Sequence, residues 1–142
     1  MTENYRYYPK QYQFVIGITW DHVDQQIAYE KEAETYSKIS DTTDLVIHCG
    51  VVPGLLQNIK TKFTRHGYRD MHIYSSRHKE AVTMGRHNDD QDVLIVQSLG
   101  KMMYVFDDGD SVTLNPGDGL YIPKFVYHNP VHVEPRITVS LS

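Results

Sequence analysis

The chain has 142 residues, 40% of them hydrophobic and 23% charged, with a net charge of −4. This is the size of a single domain with its own core, and the negative charge argues against a general nucleic-acid binder, which usually carries a basic face. One cysteine, Cys49, excludes an internal disulfide. Residues 1–10 hold no apolar signal core and no stretch is apolar enough for a membrane span, so a cytoplasmic protein with no membrane association is predicted.

The first half of the chain predicts strands and helices in turn. Residues 12–20 alternate in hydrophobicity and are rich in β-branched side chains, which is typical of a strand. Asp21 or Asp24 could then cap a charged, exposed helix that runs to about Lys38. Residues 45–49 are apolar and predict another short strand.

A second helix is predicted after Pro53, because proline suits a first helical turn. Four apolar side chains recur there at helical spacing, namely Leu55, Leu56, Ile59 and Phe63. Gly67 is expected to end this helix.

Basic residues cluster from the second helix onward. They are Lys60, Lys62, Arg65, His66 and Arg69, followed by Arg77, His78, Lys79 and Arg86. Such a cluster is more typical of a solvated surface than of a binding site, although the cations just before residue 87 could steer an anionic substrate.

The remainder of the chain predicts only strands. Eight candidates lie at residues 71–75, 82–86, 92–98, 101–106, 111–114, 119–122, 126–133 and 136–141, and turn residues separate most of them. Eight short strands fit a small jelly roll of two facing sheets. We therefore predict a mainly β fold in one domain, residues 1–142, with a double-stranded β-helix core at 71–142 and α/β additions at 1–70.

Three potential metal ligands lie within this core. His87 and Asp89 are two residues apart, so on an extended segment their side chains project to the same side and can share one ion. His128 follows a later turn and would complete the set. Two imidazoles and one carboxylate on one face of a metal leave other positions open, an arrangement that non-haem Fe(II) oxygenases use.

Two segments around these ligands carry a family resemblance. Residues 87–101 and 116–123, together with His128, resemble the cupin-like, jumonji-type (JmjC) Fe(II)/2-oxoglutarate oxygenases, over about half the chain. The resemblance implies that His87, Asp89 and His128 are the catalytic metal ligands, with Fe(II) as the metal and 2-oxoglutarate as cosubstrate. It also implies hydroxylation of a substrate, a small molecule or a protein, that the sequence does not identify.

The chain departs from the family at one position. These enzymes commonly place a lysine or arginine on the fourth core strand to pair with the distal carboxylate of 2-oxoglutarate, and that position is Met102 here. Lys101 is one residue away, which in a strand is the opposite face. Arg136 on the last strand is the first choice for a replacement cation and Lys101 the second; the alternative for Arg136 is a water-exposed position at the rim.

Further cosubstrate contacts are predicted from strand parity. Ser140 shares a face with Arg136, and Gln97 faces inward with its apolar neighbours. A buried, hydrogen-bonded glutamine is the alternative for Gln97. Tyr74 and Tyr104 could bond the cosubstrate or simply be strand residues with a polar tip.

A second class of function stays open at this point. A cupin-like module could bind a metal or small ligand without oxygenase turnover, and Met102 favours that hypothesis. Five of the other histidines are interpreted as surface residues or neighbours of the ligands: His22, His66, His72, His78 and His132. The sequence does not indicate an oligomeric state.

Overall fold

The computed structural model describes residues 5–46 and 53–142. The N-terminal part contains β1 (Arg6–Tyr8), a 3-10 turn (Gln13–Val15), α1 (Trp20–Glu32), β2 (Ser37–Ser40), β3 (Thr43–Val46) and α2 (Leu55–Thr64). The rest contains β4 (Met71–Ser76), β5 (Val93–Leu99), β6 (Met102–Phe106), β7 (Ser111–Leu114), β8 (Gly119–Ile122), β9 (His128–His132) and β10 (Arg136–Leu141). Neither of the described helices is long and apolar enough to cross a membrane.

The strands form two antiparallel sheets. The larger has the order β1-β8-β5-β10-β4-β3-β2, and the smaller has the order β7-β6-β9. In the larger sheet β10 lies between β4 and β5, so that Thr138 is opposite both Tyr74 and Gln97. The predicted mainly β class with a jelly-roll core is confirmed. The N-terminal strands extend the same sheet that the core strands build.

Two hydrophobic clusters lie on opposite faces of the larger sheet. On the outer face, the two helices pack against β4, β5 and β10 through residues that include Val23, Leu56, Ile59, Phe63, Ile73, Ile137, Val139 and Leu141. On the inner face, a second cluster fills the space between the sheets with Val93, Ile95, Met102, Tyr104, Phe106, Val112, Leu114, Leu120 and Ile122. Alternating side chains of one strand therefore serve both clusters.

The prediction of a strand at residues 12–20 is wrong. The only regular element between residues 12 and 19 is the 3-10 turn that ends at Val15, and the buried Val15 and Ile18 are three residues apart, whereas a half-buried strand would bury every second side chain. Gly17 has φ +114°, which interrupts an extended run. The segment instead crosses the sheet, where the Ser98 hydroxyl donates to the Val15 carbonyl at 2.8 Å.

Helix α1 is present, but its predicted ends were wrong. Thr19 caps it in place of Asp21 or Asp24, because its hydroxyl accepts the His22 backbone N–H at 3.3 Å while its own N–H donates to His22 Nδ1 at 2.9 Å. The helix ends at Glu32, and β2 occupies the stretch in which the helix was predicted to continue.

The predicted strand at residues 82–86 is also wrong. A single bridge joins His87 to His128, through two backbone hydrogen bonds of 2.9 Å. Two residues further along β9, Pro130 has no N–H to continue the ladder, and its carbonyl accepts the Thr83 hydroxyl at 2.8 Å instead. A side-chain hydrogen bond from Thr83 therefore takes the place of further backbone hydrogen bonds between this segment and β9.

Two further predictions for residues 1–70 concern the second helix and the strand at 45–49. Helix α2 is confirmed. The strand predicted at 45–49 has its described part in Thr43–Val46, and residues 47–49 lie outside the described residues. The sequence indicated neither β1 nor β2, because both are short and polar.

Candidate active site

The three predicted metal ligands lie together in the structure. Asp89 Oδ2 is 3.5 Å from His128 Nε2 and 3.8 Å from His87 Nε2. One ligand atom from each residue can be chosen so that all three lie within 4.8 Å of one another. Two ligands at right angles on an ion, each about 2.1 Å from it, are about 3 Å apart, so the donor set is close to the size that one ion requires.

Both imidazoles are oriented by the backbone two residues before them. His87 Nδ1 is 2.8 Å from the Gly85 carbonyl, and His128 Nδ1 is 3.0 Å from the Val126 carbonyl. A carbonyl can only accept, so each Nδ1 carries a proton, and Nε2 is the nitrogen that faces Asp89 and is available to a metal. Such an outer hydrogen bond is the usual support of a metal-binding histidine.

The chain around the ligands is cross-linked by backbone bonds. The His87–His128 bridge holds the two histidine segments side by side, and the Phe125 N–H donates to the Asp89 carbonyl at 2.7 Å. Phe125 has φ +67°, a left-handed conformation that a phenylalanine adopts at an energetic cost. The surrounding bonds hold this conformation and thereby fix the position of Asp89.

The triad lies at the mouth of a cavity of about 210 Å³ between the sheets. The Asp89 side chain is 35% exposed and that of His128 only 3%. Burial, together with the neighbouring His87, lowers the pKa of His128, against the opposing effects of the Val126 carbonyl and Asp89. A neutral imidazole is the form that binds a metal.

Arg136 lies at the opposite end of this cavity. It is the first residue of β10. The preceding residue, Pro135, lies against Gly100 of the β5–β6 turn, because a Cβ on Gly100 (φ +72°) would be only 2.0 Å from the Pro135 carbonyl oxygen. The predicted metal ligands are near the other end of β10. His87 and Asp89 come shortly before β5, and Ser140 pairs with Ile95 close to the start of β5. Arg136 and Ser140 are four residues apart, which is about 13 Å along a strand.

The Arg136 guanidinium is buried without a counter-ion. The residue is 3% exposed, its Nε has no hydrogen-bond partner, and no carboxylate in residues 5–46 or 53–142 forms an ion pair with it. Burial lowers its pKa, while Tyr104 and Tyr74 oppose that shift. Arginine stays protonated in proteins, so the cavity contains a positive charge that the described residues do not neutralise.

Tyr74 and Tyr104 line the cavity near Arg136. The Tyr74 ring centroid is 5.8 Å from Arg136 Cζ, within the range of a cation–π contact. Burial raises the pKa of Tyr104 to about 12, with Arg136 opposing and Tyr74 reinforcing the shift. Burial and Asp89 raise the pKa of Tyr74, against Arg136. Both phenols are therefore protonated at neutral pH and can donate hydrogen bonds.

Gln97 is buried but does not line the cavity. Its Nε2 donates to the carbonyls of Leu99 and Gly100 at 2.9 and 3.1 Å, and its Oε1 accepts the Thr138 hydroxyl at 2.8 Å. The amide is therefore fully occupied within the protein, which is the alternative that the sequence left open for this residue. Ser140, in contrast, lines the cavity, and its contact with a cosubstrate stays a prediction.

Lys101, the second choice for the anion anchor, is exposed and lies outside the cavity. It precedes β6, and strand parity puts it on the face opposite to Met102. Met102 is fully buried in the inner cluster. The position at which jumonji-type oxygenases commonly have a cation is therefore apolar here, and among the described residues Arg136 is the lysine or arginine that lines the cavity.

The cavity also contains residues that the sequence did not single out. They include Thr43, Thr83, Met84, Asp90 and Pro130, and also His72, for which the sequence left a surface position and one near the ligands open. Parity along β4 could have indicated His72, which shares a face with Tyr74. Thr83 and Met84 could not have been found in this way, because their segment is not a regular strand.

Comparison with known proteins supports the fold. The chain matches no protein-family model and no curated protein. It is similar to ycfD from Escherichia coli with a TM-score of 0.59 and 22% identity, covering 72% of this chain and 34% of that chain. A structure described as this ribosomal oxygenase in complex with cobalt and 2-oxoglutarate has a TM-score of 0.58 and 23% identity, covering 72% of this chain and 32% of that chain.

A further similarity is to a cupin superfamily protein from Desulfitobacterium hafniense. It has a TM-score of 0.52 and 12% identity, and it covers 78% of this chain and 84% of that chain. The present chain thus spans about a third of the E. coli oxygenase and most of the length of the cupin. The chain has the cupin-like jelly-roll fold that both of these proteins share.

Proposed function

We propose that the protein is a non-haem Fe(II)- and 2-oxoglutarate-dependent oxygenase that hydroxylates a substrate at the mouth of its cavity. The observation that carries this proposal is the pairing of two features in one cavity. A triad of His87, Asp89 and His128 lies at one end, and the unpaired guanidinium of Arg136 lies at the other. A diacid cosubstrate needs both a metal chelate and a distant cation.

The triad fits Fe(II). Two nitrogens and one carboxylate oxygen from one side leave several coordination positions free, and this ligand set is typical of Fe(II) oxygenases. When bound, Fe(II) and 2-oxoglutarate would supply the oxidation, in which dioxygen and 2-oxoglutarate give succinate and carbon dioxide while a substrate C–H bond becomes C–OH. The backbone carbonyls of Gly85 and Val126 keep both histidine Nε2 atoms available for this ion.

Arg136 is suited to the distal carboxylate of 2-oxoglutarate. A guanidinium can bind a carboxylate through two parallel hydrogen bonds, and here both its charge and its free Nε lack a protein partner. The phenols of Tyr74 and Tyr104 can donate to the same carboxylate. Anion binding would therefore remove the cost of a buried unpaired charge, which the folded protein otherwise bears.

The inner cluster restricts access of water to the cavity. Val93 and Ile95 line the cavity wall on β5, and Met102 and Phe106 continue the same cluster on β6. A low local dielectric strengthens the attraction between Arg136 and a carboxylate. The exposed end, at Asp89, would then be left for the substrate.

A second candidate is a cupin-like module that binds a metal or small ligand without turnover. Met102, at the usual position of the cation, is the observation that favours it. Arg136 weighs against it, because a cation buried without a partner is costly for a protein that binds no anion.

The experiment that tests the proposal is 2-oxoglutarate turnover without added substrate. With Fe(II), the wild-type protein should slowly convert 2-oxoglutarate to succinate, measured by mass spectrometry. His87→Ala and Asp89→Ala should abolish this conversion, whereas His78→Ala, at an exposed histidine, should not. A wild-type protein that binds Fe(II) but neither binds nor converts 2-oxoglutarate would instead support the binding module.

A further inference from the structure

A second depression, of about 350 Å³, lies on the outer face of the larger sheet. Four tyrosines, one leucine and one arginine line it: Arg6, Tyr8, Tyr12, Tyr68, Leu94 and Tyr121. We call it the tyrosine depression. Leu94 alternates with Val93 and Ile95, which line the active-site cavity, so the two sites lie on opposite faces of β5.

The sheet register assembles the tyrosine depression. Arg6 on β1 and Leu94 on β5 both pair with Tyr121 on β8, which puts the three side chains in one row. The next pair on the same face of the sheet is Tyr8 with Gly119, and a Cβ on Gly119 would be 2.4 Å from the Tyr12 ring. Glycine at this position therefore makes room for Tyr12 to lie on the sheet.

Helix α2 packs against two of these tyrosine rings. The rings of Tyr12 and Tyr68 each lie 6.0 Å from that of Phe63, a buried residue of α2. Burial raises the pKa of Tyr68, and the nearby Tyr8 and Asp92 raise it further. Burial raises the pKa of Tyr12 as well, with Tyr68 and Tyr8 contributing. The phenols of this group are therefore close neighbours, and their rings are held by packing.

A basic segment of the chain contributes Tyr68 to the tyrosine depression. Residues 55–69 contain four lysines and arginines and neither aspartate nor glutamate, in a chain whose net charge is −4. The exposed cations of this stretch are Lys62, Arg65 and Arg69, and none of them, nor Arg6, forms an ion pair with a described residue. Lys62 Nζ is 4.5 Å from the Phe14 ring, which is 6.4 Å from that of Tyr12.

Neither feature alone indicates a ligand. A cluster of cations is usually a solvated surface, and tyrosines are common on strands. Fixed, half-buried aromatic rings beside unpaired cations, however, are the combination that binds a nucleic acid strand, with rings for the bases and cations for the phosphates. A duplex keeps its bases stacked internally and cannot use the rings. The carboxylate of Asp92, near Tyr121 and Tyr68, would repel phosphates from the far side.

We propose that a single-stranded nucleic acid binds across the tyrosine depression, with bases on Tyr8 and Tyr68 and phosphates on Lys62, Arg65 and Arg69. This site is separate from the oxygenase site and does not depend on its activity. The overall negative charge, which argues against general nucleic-acid binding, is compatible with a local site of this kind.

The first test is fluorescence anisotropy with a labelled uridine oligonucleotide of about twelve nucleotides, over a series of salt concentrations. The wild type should bind, and the double variant Lys62→Gln/Arg65→Gln should bind more weakly. Its slope of log K against log salt should be shallower by about 0.7 for each lost phosphate contact. The matched control, Lys38→Gln/Lys101→Gln, removes two exposed cations elsewhere and should leave both quantities unchanged.

The second test separates stacking from charge. Tyr68→Leu should weaken binding by roughly 5- to 150-fold, the range for loss of one stacked base, whereas Tyr68→Phe keeps the ring and should bind like the wild type. Thermal unfolding of both variants checks that the fold is intact; if Tyr68→Leu is unfolded, Tyr8→Leu and Tyr8→Phe replace the pair. Absence of wild-type binding would overturn the proposal, as would equal affinity for a duplex or tighter binding to phosphatidylserine vesicles.

Discussion

The two faces of β10 differ in chemistry although they belong to one strand. On the outer face, Ile137, Val139 and Leu141 are buried against the helices in an apolar cluster. On the inner face, Arg136, Thr138 and Ser140 line the cavity. The outer side chains have the apolar contacts expected of a core, whereas the inner ones include a charge with no partner.

Within the six residues of β10, the outer side chains stabilise the fold, whereas the inner ones are suited to binding a ligand. Apolar side chains on the outer face gain free energy when they are buried, and this holds the helices on the sheet. An unpaired arginine on the inner face costs free energy, so the fold alone does not account for it. A polar, strained or uncompensated position in an otherwise consistent structure is typical of a functional site.

The largest expected effect is on the inner side, at the three proposed metal ligands. Asp89→Ala removes the one anionic ligand and should weaken metal binding by more than about 100-fold, since loss of a mere supporting group already costs about 10- to 100-fold. Anaerobic titration with Co(II) measures this. Asp41→Ala, at an exposed aspartate, is the control and should leave metal affinity unchanged. Equal affinity in the two variants would contradict the assignment of the triad.

Adjacent residues of β10 should respond differently to truncation. Leu141→Ala should lower the free energy of unfolding by about 2 to 5 kcal/mol, because it leaves a cavity in the outer cluster. Ser140→Ala should change it by less than about 0.5 kcal/mol. Urea denaturation of the metal-free protein measures both. Similar losses would show that the faces do not differ in the way the packing indicates.

A smaller loss is expected at Thr138. Thr138→Val removes the hydroxyl that Gln97 Oε1 accepts and leaves this buried oxygen without a donor. The expected cost is about 1 to 3 kcal/mol of unfolding free energy, again from urea denaturation. Thr138→Ser keeps the donor and serves as the control. If valine is tolerated as well as serine, the hydrogen bond has no measurable role in stability.

The smallest expected change is a gain in stability. Arg136→Met replaces a buried, unpaired guanidinium with an apolar chain of similar length, and the ligand-free protein should become more stable by about 1 kcal/mol. Added 2-oxoglutarate and metal should stabilise the wild type more than this variant, as measured by thermal shift. A destabilised Arg136→Met protein would indicate that Arg136 has a packing role instead.

Local sequence patterns were sufficient to predict much of the site. The spacing of His87 and Asp89 and the position of His128 predicted a cluster that the structure contains. The period of two along β10 correctly predicted that Arg136 and Ser140 share the inner face. Both predictions depend on properties of a single strand or turn.

Other features depended on contacts that are distant in sequence. The ladder at residues 82–86 is interrupted by Pro130 on another strand. Parity placed Gln97 on the inner face, but the carbonyls of Leu99 and Gly100 in the β5–β6 turn accept its amide protons, and strand parity does not indicate such bonds. The segment at 12–20 crosses the sheet and bonds to Ser98, a contact that its own sequence pattern does not indicate.

Whether Arg136 anchors 2-oxoglutarate is tested most directly by a calorimetric titration of the Fe(II)-loaded protein with 2-oxoglutarate under anaerobic conditions. Arg136→Met should weaken binding by about 2 to 5 kcal/mol, or at least about 30-fold, because the carboxylate loses its charged partner. Its affinity for Fe(II) should stay unchanged, and Lys101→Met should bind 2-oxoglutarate like the wild type. Unchanged 2-oxoglutarate affinity in Arg136→Met would contradict the claim.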